Sequence, residues 1–289
     1  MLKIRFSPGP SVTDAQSPSP KHLILNLLLA ANGETMSARD AINACALFGI
    51  RENSVRVALV RLSAESLIEA AGRGAYRFGP KATGLADDVR HWRDSEQRLC
   101  EWSQHWLAVH LGGLGRSDRS RVRARDRALA MTGLRELDPG LYIRPDNLRG
   151  GVEALRERLL RLGLDEDAPA FIAHAFDAAR EQRARRLWDT KRLDKSYRSL
   201  RNRLEKWLAN ADELEPDVAA REAYLLGHEA IRSLVYDPLL PAPLVDVEAR
   251  KAFIAVVQRF DHAGHLIWQH QRPMPSYASR TTTRGTRIN

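Results

Sequence analysis

The sequence predicts an α+β protein, mostly helical, with an N-terminal winged helix, a central ferredoxin-like domain and a C-terminal helical domain. Three observations predict it. Residues 51–62, R-E-N-S-V-R-V-A-L-V-R-L, make a short two-faced helix, reached through a glycine turn and followed by a hairpin pattern. Residues 103–177 carry strand and helix signals in the order strand, helix, strand pair, helix, strand. From residue 178 onward the apolar positions recur at spacings of three and four, as on a buried helical stripe.

Bulk properties set the frame. A chain of 289 residues has room for two or three domains. Its 44% hydrophobic and 28% charged residues describe a soluble globular protein, and its net charge of +9 favours a polyanionic partner. Cys45 and Cys100 lie far apart, with no C-x-x-C and no Cys/His cluster. That spacing argues against a zinc site or a disulfide framework and for a reducing compartment. The segment MLKIRFSPGPSVTDAQSPSP lacks the apolar core and cleavage pattern of a signal peptide, and apolar runs such as Leu23–Ala31 are too short to span a bilayer. The expected location is the cytoplasm.

Residues 1–19, rich in Ser and Pro, read as a disordered arm. The winged helix is expected over 20–84. Pro20 suits a first helical turn, Lys21–Ala31 is almost continuously apolar, and Asn32-Gly33 ends it. Ser37 is an N-cap for a helix over Ala38–Phe48, with Ala41, Ile42, Cys45 and Ala46 as its core face. Gly49-Ile50 turns the chain into the helix from Arg51 to about Ser63. Val55, Ala58, Leu59 and Leu62 form its apolar stripe; Asn53, Arg56, Val57 and Val60 point the other way, with Arg61 on the flank. Arg bonds guanine, Asn bonds adenine, and a Val methyl touches the thymine methyl, so this face suits the DNA major groove. A plain surface helix carrying arginines would show the same two faces, so its neighbours decide. Leu67–Ala70 and Ala75–Phe78 can pair around Gly72-Arg73-Gly74, which makes a wing with Arg73 at its tip. On this reading Asn53, Ser54, Arg56 and Val57 lie at the bases, and Arg61, Arg73 and Arg77 hold phosphates.

Gly79–Thr83 reads as a break, and Leu85–Trp106 as mostly helical, with residues 85–102 a linker helix. The ferredoxin-like domain, expected to dimerise, spans 103–177. Its strands are Trp106–His110, the pair around D-P-G at 138–140 and Ala170–His174; its helices are Val122–Met131 and Val152–Leu162. The helical effector domain spans 178–270. Its first stripe runs from Leu187 to Leu208 and breaks at Glu215-Pro216. A second helix covers Val218–Asp237, prolines 238, 241 and 243 make a rigid link, and a last helix covers Ala249–His262, with Leu266–Trp268 packing back. Residues 271–289 read as a disordered basic tail.

Enzymatic signatures are missing. The chain has no Walker loop, no G-x-G-x-x-G after a strand, no H-E-x-x-H and no nucleophile elbow. No metal site and no cofactor are expected, and the protein is not expected to be an enzyme. The alternative is a metal-dependent nuclease on the ferredoxin-like domain, but its first strand ends Val109-His110 where that chemistry wants an aspartate. The stretch 183–197 mixes bases and aromatics. Arg183, Arg186 and Arg192 could hold phosphates while Trp188 and Tyr197 stack on an aryl or adenine ring. The spacing alone favours the other reading, in which Trp188 and Tyr197 are core residues and the arginines face solvent.

Four segments, in order, resemble the PaaX family of transcriptional regulators: G-I-R-E-N-S-V-R-V-A-L-V-R-L (49–62) with G-R-G-A-Y (72–76), L-D-P-G-L-Y-I-R-P-D-N (137–147), L-W-D-T-K-R-L-D-K-S-Y (187–197), and H-E-A-I-R (228–232) leading into Y-D-P-L-L-P (236–241). The resemblance covers about residues 20–270. It implies a homodimeric repressor on a roughly palindromic double-stranded operator, released by an acyl-CoA thioester, phenylacetyl-CoA in the founding members. Leu244-Val245-Asp246 after Pro243 departs from the family's usual Leu-Pro step.

Overall fold

The computed structural model describes residues 18–31, 33–115 and 117–270. The expected arm and basic tail therefore lie, apart from Pro18 and Ser19, outside the described residues. The protein is a mixed α+β molecule and mostly helical.

The first unit begins with α1 (Pro20–Ala30), whose Ser19 side chain accepts from the His22 N–H while Pro20 takes the first turn. A two-residue strand, β1 (Met36–Ser37), then leads into α2 (Ala38–Ala46). Ser37 and Asp40 close a reciprocal capping box at the start of α2. Gly49, at φ +70°, turns the chain into α3 (Glu52–Ala64). The hairpin β2 (Ile68–Ala70) and β3 (Ala75–Phe78) follows, and β3 pairs antiparallel with both β2 and β1. Strand β1 was not foreseen: two residues carry no periodicity. Leu23, Ile24, Leu28, Cys45, Val55, Leu59, Leu62 and Ile68 are buried together as the core of this unit.

The expected linker helix takes a different course. Helix α4 covers Pro80–Arg90, with Gly79 at its N-cap and Pro80 in its first turn. It then gives way to 3-10 turns at His91–Asp94 and Glu96–Arg98 and to irregular chain. Residues 99–102 are therefore not helical. The backbone there has other partners: Cys100 N–H donates to Asn147 O, Arg149 N–H donates to Arg98 O, and Leu99 bridges Leu148. Trp92 and Trp102 are buried in the core of the C-terminal helices, which holds this stretch in place.

The central sheet contains β4 (Trp106–His110), β5 (Arg135–Asp138), β6 (Leu141–Pro145) and β7 (Ala170–Ala173) in the order β5-β6-β4-β7. All three neighbouring pairs are antiparallel. Helix α5 (Arg119–Met131) connects β4 to β5, and α6 (Gly151–Arg161) connects β6 to β7. Side chains alternate across β4. Leu107 and Val109 pack with α5 and α6, whereas Trp106 and Ala108 enter the core of the C-terminal helices. Both faces of the sheet are thus covered at β4, while Phe171 and Ile172 on the edge strand β7 remain exposed. Asp165 accepts from Arg121 and Arg125 of α5 and ties the loop after α6 to that helix.

The remaining elements are α7 (Ala178–Arg185), α8 (Thr190–Asn210), α9 (Pro216–Val235) and α10 (Val247–His270). The stripe expected to continue from Leu187 is interrupted at 186–189, where Asp189 caps α8 through the Arg192 N–H. The last helix, expected to stop at His262, instead runs unbroken to His270. Gly264 lies within it, and a Cβ there would be in ordinary contact distance of the Ala223 methyl of α9.

A buried polar network joins the sheet to these helices. Arg144, fully buried, donates to Thr132 O, Pro238 O and Asn147 Oδ1. Asn147 donates on to Leu239 O at 2.8 Å. Asp237 accepts from Tyr197 Oη at 2.6 Å and from the Leu239 N–H at 2.7 Å. Arg250 reaches Leu240 O and Glu96.

Candidate nucleic-acid interface

Helix α3 presents two opposed faces. Val55, Ala58, Leu59 and Leu62 are buried, the stripe expected from the 3.6-residue period. Asn53, Ser54, Arg56, Val57, Val60 and Arg61 are exposed on the other side. Val57 is 42% and Val60 69% exposed, an uncommon setting for two β-branched apolar residues. A shallow hollow beside Asn53, Ser54, Val57 and Arg61 is closed by Ser19, Pro20 and Lys21 at the start of α1. Arg56 is held by Glu52 one turn back, Nε donating at 2.8 Å.

The hairpin supplies the remaining residues of the expected site. Arg73 is exposed at its tip, between Gly72 at φ +122° and Gly74 at φ +71°. Only glycine takes such angles without strain, so the tip is a tight turn. Arg77 is exposed on β3 and pairs with Glu69 across the strands. Five of the seven expected residues thus share one helix face, and two lie on the hairpin that follows.

The stretch 183–197 is arranged differently from a stacking site. Trp188 is buried, donates to Gly133 O at 3.1 Å and stacks on Trp106. Tyr197 is buried against Phe253, and burial together with the Asp237 carboxylate pushes its phenol up. Both rings are covered here, which is the core alternative of the sequence reading. Arg183 is exposed and bound to Asp138, while Arg186 and Arg192 face solvent.

A cleft of about 370 Å³ opens instead between the first unit and the C-terminal helices. Trp92, Tyr236 and Trp268 supply aromatic walls, and Arg93, Arg127 and Arg232 supply cations. These residues come from four separate elements, so no single stretch announced the cleft. At its edge Asn26 of α1 donates to Tyr224 Oη at 2.9 Å and lies 3.1 Å from His228 Nδ1, both on α9. Phe48 meets the Tyr224 ring edge-on. Burial, then the charges of Arg232 and His22, hold His228 below the usual histidine range. Among the described residues no three His, Cys, Asp or Glu side chains are grouped to hold a metal ion, and no helix is long and apolar enough to cross a membrane.

Comparison with known proteins adds to this. Residues 188–270 match the family described as the PaaX-like protein C-terminal domain. Over 230 residues, 73% of this chain and 70% of its relative, the chain is 27% identical to the transcriptional repressor PaaX of Escherichia coli (strain K12). Its fold is similar to that of the uncharacterized protein Rv0674 from Mycobacterium tuberculosis, with a TM-score of 0.57 and 22% identity, covering 88% of this chain and 98% of that one. The chain is thus similar to the PaaX-like C-terminal domain over residues 188–270, and to a PaaX repressor over most of its length.

Proposed function

We propose that the protein is a DNA-binding transcriptional repressor of an aromatic-acid catabolic operon of the phenylacetate type, released by an acyl-CoA thioester, and not an enzyme. One observation carries the DNA part: α3 buries one stripe and offers Asn53, Arg56 and Val57 together on its open face, with a basic hairpin beside it. The name of the E. coli relative supports the repressor role. On this reading residues 20–84 are a winged helix, 85–102 a linker and 103–177 a ferredoxin-like dimerisation domain, which the antiparallel order β5-β6-β4-β7 supports. Residues 178–270 form the regulatory domain.

A homodimer would hold two copies of α3 at a spacing that suits half-sites about one helical turn apart. Asn53 and Arg56 read base edges, with Ser54 and Val57 beside them. Arg61, Arg73 and Arg77 hold phosphates. The effector, an acyl or aryl thioester, is placed in the cleft beside α9, whose aromatic walls suit the acyl group and whose arginines suit the phosphates. Arg183, Arg186 and Arg192 remain exposed for the far end of a long ligand, while Trp188 and Tyr197 serve the core. A ligand that binds one arrangement of the first unit better than the other shifts the spacing of the pair.

Footprinting the purified protein on its own upstream DNA tests this. Two protected half-sites that vanish on adding acyl-CoA esters are expected. No protected region overturns the repressor, and release by free acids overturns the thioester.

A further inference from the structure

Three cations on the face read above as the DNA surface each carry a glutamate. Arg56 Nη2 lies 2.6 Å from Glu52, Arg77 Nε 2.7 Å from Glu69, and Lys21 Nζ 2.5 Å from Glu65. The pairs are built by three different devices. One is an i,i+4 step along α3, one is a cross-strand register pair of the hairpin, and one links α1 to the C-cap of α3. All six side chains are at least 42% exposed. Ion pairs that exposed contribute little to stability, so stability does not account for three carboxylates on a DNA-facing surface. A carboxylate there also repels phosphate. Arg51, Arg61 and Arg73, by contrast, have no carboxylate partner among the described residues.

The two sets of cations behave differently towards DNA. Non-specific affinity comes from cations that neutralise phosphates and release counterions. An arginine already matched by a carboxylate releases none unless the pair opens. Opening is offset only where more than a loosely placed phosphate waits: a guanine edge taken by two N–H groups for Arg56, or a phosphate brought into direct contact by close docking for Arg77 and Lys21.

We propose that Glu52, Glu65 and Glu69 determine specificity: they keep Arg56, Lys21 and Arg77 from the backbone of non-operator DNA and release them only in the closely docked operator complex. The proposal rests on the DNA-binding reading. The test measures binding of the full chain to a short duplex of random sequence across a salt series, so it does not need the operator. The charge-removing variants Glu52→Gln, Glu65→Gln and Glu69→Gln are each expected to steepen the fall of log K with log salt by about 0.9, and to tighten binding by up to about tenfold at 0.1 M salt. Glu248→Gln, which removes a glutamate paired with Lys251 on α10, serves as the control for net charge. Unchanged slopes, or the same rise in Glu248→Gln, overturn the proposal. A wild-type chain that binds no duplex at low salt overturns the DNA-binding reading and the proposal with it, whereas a wild type that binds while the variants keep its slope overturns the proposal alone.

Discussion

Arg144 shows how a residue marked by the family resemblance can be structural. Its guanidinium is fully buried, and burial pulls it down to about 9, still protonated at neutral pH. Among the described residues no carboxylate hydrogen-bonds it; it holds the backbone oxygens of Thr132 and Pro238 and the side chain of Asn147. Replacing Arg144 by Leu orphans these acceptors, each costing about 1–3 kcal/mol when buried, so a loss of at least about 3 kcal/mol is expected. Urea unfolding measures it, and a change below about 1 kcal/mol would mean water or a shifted neighbour replaces the arginine. The sequence could point to Arg144, Asn147, Tyr197 and Asp237 only as parts of separate motifs. That they meet in one network depends on packing between residues about a hundred positions apart, which no local pattern encodes. Trp188 and Tyr197 make the same point: an aromatic at helical spacing reads alike whether it stacks on a ligand or on Trp106 and Phe253.

At the scale of elements, legibility followed the strength of the local signal. The stripe of α3, the N-cap at Ser37 and the strand pair around 138–140 are set by near neighbours, and each lies where the sequence put it. The chain after Arg90 was misread as helix because its fate depends on backbone partners at 147–149. The last helix runs past its expected end at His262 to His270 because its far turns pack on α9, which is a tertiary fact. The seat of α1 on α9 was not legible at all. It has a measurable consequence through His228, whose folded value is depressed chiefly by burial. A depressed base favours the neutral form, so its stabilisation is full above the unfolded value of about 6.5 and is lost as pH falls through it. The thermal midpoint should therefore drop between about pH 7 and pH 5, and drop less in His228→Gln. Parallel curves for the two proteins would rule His228 out as the cause.

At the scale of the whole molecule, among the described residues the first unit meets the C-terminal helices through Asn26 and Phe48 against Tyr224 and His228 and across a cleft, while the sheet is locked to those helices by buried side chains. Under the proposed function, a first unit seated this lightly would let a ligand change the spacing of two α3 helices. All of this stands on α3 reading bases. The most direct test compares Arg56→Ala with wild type on the footprinted upstream DNA and on random duplex at one salt concentration. Loss of about 1–3 kcal/mol on the upstream DNA, with far less on random duplex, is expected. Equal losses on both would contradict base reading by α3.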